Sequence, residues 1–224
     1  MLVAIEGIDG SGKGTQAQRL ASALERSGLR VRLLSFPRYR DTAFGRRVGE
    51  FLNGKFGALN QVHPLLVSLL FAGDRFESMP LLLEAITAND VVILDRYVAS
   101  NVAHQAAKVD GDERRELHAW IEQLEYGLYA LPRPDLVILF DLPADQAQEL
   151  IARKQQRYYT DRAADLQEAD GPYLERVRQV YLQLAADDPA WRTISVVHDG
   201  RLRTVEEIGT EVEAAVRALL RGRT

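Results

Sequence analysis

The chain alternates between short apolar runs and longer stretches in which apolar residues recur every three or four positions. The apolar runs predict five buried strands, at residues 2–5, 31–36, 91–95, 136–141 and 193–198. The helical stripes predict helices that include residues 17–24, 65–84 with a break at Pro80, 117–128, 145–154, 174–184 and 205–219. Apolar strands that alternate with helices indicate an α/β protein with a parallel sheet and helices on both faces. Ligands then bind at the carboxyl ends of the strands.

The first strand runs directly into a glycine-rich loop, which reads Gly7-Ile8-Asp9-Gly10-Ser11-Gly12-Lys13-Gly14-Thr15. Its glycines let consecutive backbone amides face one concavity, where phosphate oxygens bind. Lys13 and the start of the following helix add positive charge. The usual pattern has a hydroxyl residue after the lysine, whereas here Gly14 follows it and Thr15 comes one position later. We interpret these nine residues as a phosphate-binding loop.

Two other interpretations of this loop remain open at this point. A glycine-rich segment between a strand and a helix can be a tight turn, and Gly12, Gly14 and Ala17 also satisfy a loose dinucleotide-binding fingerprint. That fingerprint requires an acidic residue near the end of the second strand, where this chain has Phe36-Pro37-Arg38. The order of strand, loop, lysine and helix therefore favours phosphate binding.

The third predicted strand ends in Asp95 and is followed by Arg96. A carboxylate at this edge of the sheet lies beside the phosphate loop and can hold Mg²⁺ or its water shell. The planar guanidinium of Arg96 suits bidentate binding of a phosphate. The alternative is an Asp-Arg pair that only bonds to a neighbouring helix end.

Composition limits the remaining classes of function. A chain of 224 residues with 46% hydrophobic content fits a single domain, residues 1–224. The sequence has no cysteine, which excludes disulfides and thiolate metal sites. Its apolar stretches are too short for a membrane span and it starts in a strand, so we expect a cytoplasmic protein without a membrane partner. The net charge of -4 argues against nucleic acid as a partner.

Three further motifs surround the loop, and together they resemble the thymidylate kinase family of P-loop nucleoside monophosphate kinases. They are Phe36-Pro37-Arg38-Tyr39, Leu70-Phe71-Ala72-Gly73-Asp74-Arg75, and Asp95-Arg96-Tyr97 followed by Ser100, Asn101 and Gln105. The likeness runs from Met1 to about Tyr181. It implies a three-layer P-loop kinase fold, with a five-stranded parallel sheet, helices on both faces and a short lid. It also implies ATP and dTMP as substrates, Mg²⁺ as cofactor and a homodimer.

By position, the resemblance implies how the acceptor base is bound. Phe71 stacks on the thymine, while Arg75 and Asn101 bond its polar edge. The other residues implied at the dTMP site are Asp9, Phe36, Pro37, Tyr39, Arg96, Ser100, His104 and Gln105. Pro37 is also a candidate for a cis peptide bond. His104 stands where the family commonly has tyrosine next to the sugar, which leaves tolerance of dUMP and of ribonucleotides open.

The resemblance also implies the groups that handle phosphate and metal. Tyr39 and Arg96 hold the 5′-phosphate of the acceptor, Lys13 binds the outer phosphates of ATP, and Asp9 meets the sugar 3′-hydroxyl or the magnesium shell. Candidate metal ligands, partly through water, are Asp9, Thr15, Asp95 and Glu168.

The polar segment at about residues 153–168 resembles the lid of this family, which closes over the donor phosphates and excludes water. The loop between Gly7 and Gly12 contains no cation, so the lid has to supply the charge for the transferred phosphoryl group. Arg153 and Arg157 are the predicted catalytic arginines, and a solvated charge run is the alternative. Asp165 and Glu168 match an acidic pair that the family uses near the acceptor and metal.

Other classes of nucleotide-binding protein, a deoxynucleoside kinase and a nucleotide switch such as a GTPase, require different sequence features. A deoxynucleoside kinase needs a general base for a neutral 5′-hydroxyl, whereas Phe36-Pro37-Arg38-Tyr39 offers cations and a phenol. A GTPase needs an Asn-Lys-x-Asp motif, which this sequence lacks. A dTMP kinase is the preferred hypothesis, with a deoxynucleoside kinase or another nucleoside monophosphate kinase as the alternatives.

Overall fold

The computed structural model describes residues 1–152, 167 and 170–222. Its central sheet has five parallel strands in the order β2-β3-β1-β4-β5. The strands are β1 (Leu2–Glu6), β2 (Val31–Ser35), β3 (Val91–Asp95), β4 (Leu136–Asp141) and β5 (Trp191–Ser195). Ile5 of β1 lies opposite Asp95 of β3 and Ile138 of β4. The central strands therefore end at one level, and the loop after β1 lies beside Asp95.

Helices cover both faces of this sheet, as the alternating pattern predicts. They are α1 (Lys13–Arg26), α2 (Ala43–Leu52), α3 (Pro64–Glu77), α4 (Met79–Ala88), α5 (Val98–Ala106), α6 (Gly111–Glu122), α7 (Ala144–Ala152), α8 (Gly171–Asp187) and α9 (Val205–Arg221). A π-helical segment, Gln123–Leu128, continues α6. None of the described helices combines the length and the apolar content needed to cross a membrane.

Alternation along the strands divides the core between the two faces. Val3, Ile5 and Ile93 are fully buried on the face that packs against α1, α8 and α9. Leu2, Ala4 and Leu94 belong to the opposite face, together with residues of α4 and α6. Both faces of the sheet are apolar, which explains why β1 and β3 have continuous apolar runs rather than alternating ones.

A smaller cluster joins α2 and α3 and supports one wall of the site. Its buried members are Val48, Phe51, Leu52 and Val67. Tyr39 and Phe71 are partly buried against this cluster. Two of the aromatic side chains predicted at the acceptor site are thus held by packing between helices rather than by a loop alone.

Two predicted boundaries were wrong. The break in the helical region 65–84 falls at Ser78, because Pro80 lies in the first turn of α4, where its missing amide hydrogen costs no hydrogen bond. The fifth strand ends at Ser195, and residues 197–202 form a separate hairpin of β6 (Val197–His198) and β7 (Arg201–Leu202). Its turn is Asp199-Gly200, both with positive φ, a signal typical of a tight hairpin.

Candidate active site

The phosphate loop joins β1 to α1 and is tightly packed against β4 and α7. Gly7 and Gly10 have positive φ, and a Cβ atom at these positions would lie 2.8 Å from the Phe140 oxygen and 2.7 Å from the Ala147 oxygen. Only glycine therefore fits at both positions. The Nζ of Lys13 donates to the Ile8 oxygen at 2.8 Å, which holds the buried ammonium group against the loop. The loop can cradle phosphates at the start of α1.

A cavity of about 270 Å³ opens at the carboxyl ends of β1 and β3. Its phosphate-loop side includes Asp9, Lys13 and Gly14. The predicted acceptor-site residues that line it are Asp9, Phe36, Pro37, Tyr39, Phe71, Arg75, Arg96, Ser100, His104 and Gln105. Asn101 is not among the lining residues. The three sequence motifs and the loop thus meet in one place, with the loop at one end and Phe71 in the wall.

The turn that carries Pro37 is fixed by α3. The peptide bond between Phe36 and Pro37 is cis, as predicted. Asp74 of α3 accepts a hydrogen bond from the Arg38 amide at 3.0 Å and another from the hydroxyl of Thr42, which caps α2. Burial raises the pKa of Asp74, an effect that these hydrogen bonds oppose. Asp74 therefore ties the turn before α2 to the helix that carries Phe71 and Arg75.

Arg96 is the charged centre of the cavity. It follows β3 with a φ of 69°, and its Nη2 donates to the Asp9 Oδ1 at 2.6 Å. Its Nη1 lies 3.2 Å from the Ser100 Oγ and 3.4 Å from the Gly7 oxygen. Burial lowers the pKa of the guanidinium, but the Asp9 carboxylate and other negative groups outweigh burial and raise it. Arg96 is therefore a fixed cation aimed at the phosphate loop.

The far end of the cavity contains a buried ion pair that the sequence analysis missed. Arg75 of α3 donates from Nε and Nη2 to the two oxygens of Glu125, at 2.5 and 2.6 Å. Asn101 donates from Nδ2 to the Glu125 Oε1 at 2.8 Å and to the Ser68 oxygen at 3.0 Å. Glu125, in the π-helical segment, thus orients both residues predicted to read the base, and it leaves the Nη1 of Arg75 outside the pair.

Comparisons with known proteins agree with this geometry. The family model described as Thymidylate kinase matches residues 5–208. The thymidylate kinase of Mycobacterium tuberculosis is 37% identical over 206 residues, which cover 90% of this chain and 95% of the relative. The chain belongs to the thymidylate kinase family.

Two further matches extend the comparison. The human thymidylate kinase is 32% identical over 220 residues, covering 95% of this chain and 93% of the relative. A solved structure of the thymidylate kinase from Candida albicans superimposes with a TM-score of 0.74 at 26% identity, covering 97% of this chain and 91% of that one. The predicted family and the predicted P-loop kinase fold are confirmed.

This thymidylate kinase family member has a second buried acid that the sequence analysis missed, Glu6 at the end of β1. Its Oε1 accepts from the amides of Tyr97 and Ser100, at 2.8 and 3.3 Å, which are at the start of α5. Its Oε2 accepts from the Ser100 Oγ at 2.6 Å and from the Tyr181 hydroxyl at 2.9 Å. Glu6 therefore fixes the junction that carries Arg96. The sequence does contain one signal for Glu6, since it is a charged residue at the end of an apolar strand, directly before the phosphate loop.

His104 occupies the position at which the family commonly has tyrosine. The Tyr173 hydroxyl donates to the His104 oxygen at 2.9 Å, so the His104 Nδ1, 3.0 Å away, has to donate to that hydroxyl. The lone pair on Nε2 then faces the Arg96 Nη1 at 3.4 Å. Burial and the nearby Arg96 lower the pKa of His104 to about 3, which keeps the ring neutral. His104 is thus an acceptor for Arg96 in this family member.

The structure brings only some of the predicted magnesium ligands together at the cavity. Asp95 lines the cavity, and a Cβ atom at Gly14 would lie 3.2 Å from its Oδ2, so the glycine lets α1 approach this carboxylate. Thr15 is exposed and does not line the cavity. Within the described residues, no group of three or more His, Cys, Asp or Glu side chains could hold a metal. A carboxylate beside nucleotide phosphates fits Mg²⁺, which binds through few protein ligands.

The predicted lid falls almost entirely outside the described residues. This applies to Arg153, Arg157, Asp165 and Glu168, so their roles stay predictions. Gln167, from the same segment, is described and lines the cavity.

Proposed function

We propose that the chain transfers the γ-phosphate of ATP to dTMP, giving dTDP, as a kinase domain that spans residues 1–224 with a lid at about 153–168. The observation that carries this proposal is the single cavity that joins a phosphate loop, the Arg96 cation and the aromatic wall at Phe71. Membership in the thymidylate kinase family supports the choice of acceptor.

The chemistry requires positioning and charge neutralisation more than proton transfer. The acceptor is already an anion at neutral pH, so no strong general base is needed. Lys13 binds the donor phosphates, and Arg96 binds the acceptor phosphate and is oriented by Asp9 at 2.6 Å. Asp95 would hold Mg²⁺, which supplies further charge neutralisation between the two phosphates. Arg153 and Arg157 complete the site by supplying cations for the transferred group.

At the base end of the cavity, α5 carries two hydrogen-bonding residues that suit thymine. Gln105 lines the cavity, and Asn101 lies one helical turn before it. The Oδ1 of Asn101 and the Nε2 of Gln105 are buried and have no partner among the described residues. The two residues are four positions apart on α5 and share one face of that helix. One supplies an acceptor and the other a donor, which matches an imide edge with an N–H group beside a carbonyl. We propose that they read this edge together with Arg75, while Phe71 supports the ring face.

The homodimer and the cytoplasmic location are further proposals. Large apolar side chains are exposed on α3, α4 and the π-helical segment, namely Leu66, Phe76, Leu83 and Leu128. A second copy of the chain would cover such a surface.

Steady-state ATP consumption separates the proposed activity from its alternatives. We expect rapid turnover with dTMP and none with GTP alone. Turnover with thymidine should be slow, because its neutral 5′-hydroxyl brings no phosphate for Arg96 to bind and position. AMP and dCMP, measured in parallel, test the other monophosphate kinases. Faster phosphorylation of thymidine than of dTMP would contradict the proposal, and so would a preference for AMP.

A further inference from the structure

Lys108 follows the end of α5 and is connected to the acceptor site through the side chain of Gln105. Its Nζ donates to the Oε1 of Gln105 at 2.7 Å and lies 5.3 Å from the centre of the Phe51 ring. Gln105 is fully buried and lines the cavity. Sequence motifs gave no reason to select Lys108, and the phosphoryl-transfer mechanism does not use it.

The contact with Lys108 determines which way the Gln105 amide faces. An ammonium group can only donate hydrogen bonds, so its partner on Gln105 has to be the oxygen. The amide nitrogen then points away from Lys108, and this Nε2 is buried without a partner among the described residues. An unsatisfied buried donor is costly, and a ligand in the cavity that Gln105 lines can supply the missing acceptor.

The surroundings of Lys108 make this contact unusual. Its ammonium group has no ion-pair partner among the residues that the structure describes, and burial lowers its pKa to about 7. Two other cations contact the end of α5: Arg114 from α6 donates to the Val109 oxygen at 2.9 Å, and Arg176 from α8 donates to the Ala107 oxygen at 3.1 Å. His104, on α5 itself, is neutral. α2 contributes the ring of Phe51 rather than a carboxylate.

We propose that Lys108 is a positioning residue for base selection, which fixes Gln105 so that its Nε2 donates to a carbonyl of the thymine edge and disfavours the amino edge of cytosine. The proposal rests on the assignment of dTMP as the acceptor. Thymine presents a carbonyl where cytosine presents an amino group, so a fixed donor accepts one base and leaves the other unpaired. When the ammonium loses its proton, the amine can accept a hydrogen bond, and the amide is free to turn its oxygen toward the base.

The test compares the KM for dTMP with the inhibition constant of dCMP as a competitor, from pH 6 to pH 8. For the unmodified enzyme, we expect selectivity for dTMP to be highest at pH 6 and to fall as Lys108 deprotonates. Lys108→Arg keeps a group that only donates, so its selectivity should stay high across this range. Lys108→Met should reduce selectivity on the order of tenfold at pH 6 and remove its pH dependence. Lys55→Met, at an exposed lysine, is the matched control and should behave as the unmodified enzyme.

A double-mutant cycle separates positioning from a purely structural effect. Once Gln105→Ala is present, adding Lys108→Met should change the selectivity no further, because the amide that Lys108 orients is gone. A selectivity at pH 6 within twofold of the unmodified enzyme in Lys108→Met would overturn the proposal. The proposal would also be overturned if the losses of the two single variants, Lys108→Met and Gln105→Ala, simply added in the double variant. If the unmodified enzyme fails to use dTMP at all, the proposed function itself is wrong.

Discussion

Replacing Arg96 by alanine should lower kcat/KM for dTMP by about a thousandfold or more, the scale expected when a cation that stabilises a transferring phosphoryl group is lost. The side chain bonds to Asp9 at 2.6 Å and faces the phosphate loop. Its removal deletes the acceptor-phosphate cation and also leaves the Asp9 carboxylate facing the incoming anion. Steady-state kinetics with dTMP as the varied substrate measures the effect.

Two comparison variants make this result specific. Arg96→Lys keeps the charge but loses the planar fork, so it should recover only part of the activity. Arg47→Ala removes an exposed arginine of α2 that pairs with Glu50, and it should leave the kinetics unchanged. If Arg96→Ala keeps kcat/KM within tenfold, the assigned role of Arg96 is wrong.

Replacing Arg153 and Arg157 together by alanine should reduce kcat by roughly a hundredfold or more. The reason is that residues 7–12 contain no cation, so charge on the transferred phosphoryl group has to be met from the lid. Binding of dTMP should change little, because the predicted acceptor contacts lie outside the lid segment, residues 153–168. Calorimetric binding of dTMP and steady-state kinetics are the paired measurements.

The matched control for the lid variant is the double replacement of Arg47 and Arg115 by alanine. Both arginines are exposed and, within the described part of the chain, form ion pairs with neighbours on their own helices. This variant therefore loses the same formal charge without touching the site. A lid variant that retains kcat within a few-fold would show that residues 153–168 are a solvated charge run.

The sequence predicted correctly those features that are determined by residues close together in the chain. β3 and β4 were predicted with the bounds that the structure shows, because both are continuous apolar runs between polar residues. The cis bond before Pro37 was also predicted correctly. Of the acceptor-site residues, the aromatic Phe71 and the charged Arg96 line the cavity as expected from their motifs.

What the sequence did not predict depends on contacts between distant elements. The Arg75–Glu125 pair joins residues 50 positions apart, and the Tyr181–Glu6 bond spans 175 positions. Neither acid belongs to a motif, and each is recognisable only when its partners are brought to it by the fold. Lys108 was missed for a similar reason, since its importance lies in an orphaned amide nitrogen on Gln105 that no sequence pattern reveals. The helices α2 and α5 had no separate prediction, because both are short and α5 contains the motif residues Ser100, Asn101 and Gln105.

The most direct test of the central claim is a crystal structure of the enzyme with dTMP bound. We predict that the thymine ring lies against Phe71, that its imide edge meets the Asn101 Oδ1 and the Gln105 Nε2, and that its 5′-phosphate contacts Arg96. A dTMP molecule whose phosphate lies away from Arg96, or whose base lies outside the cavity at Phe71, would contradict the account.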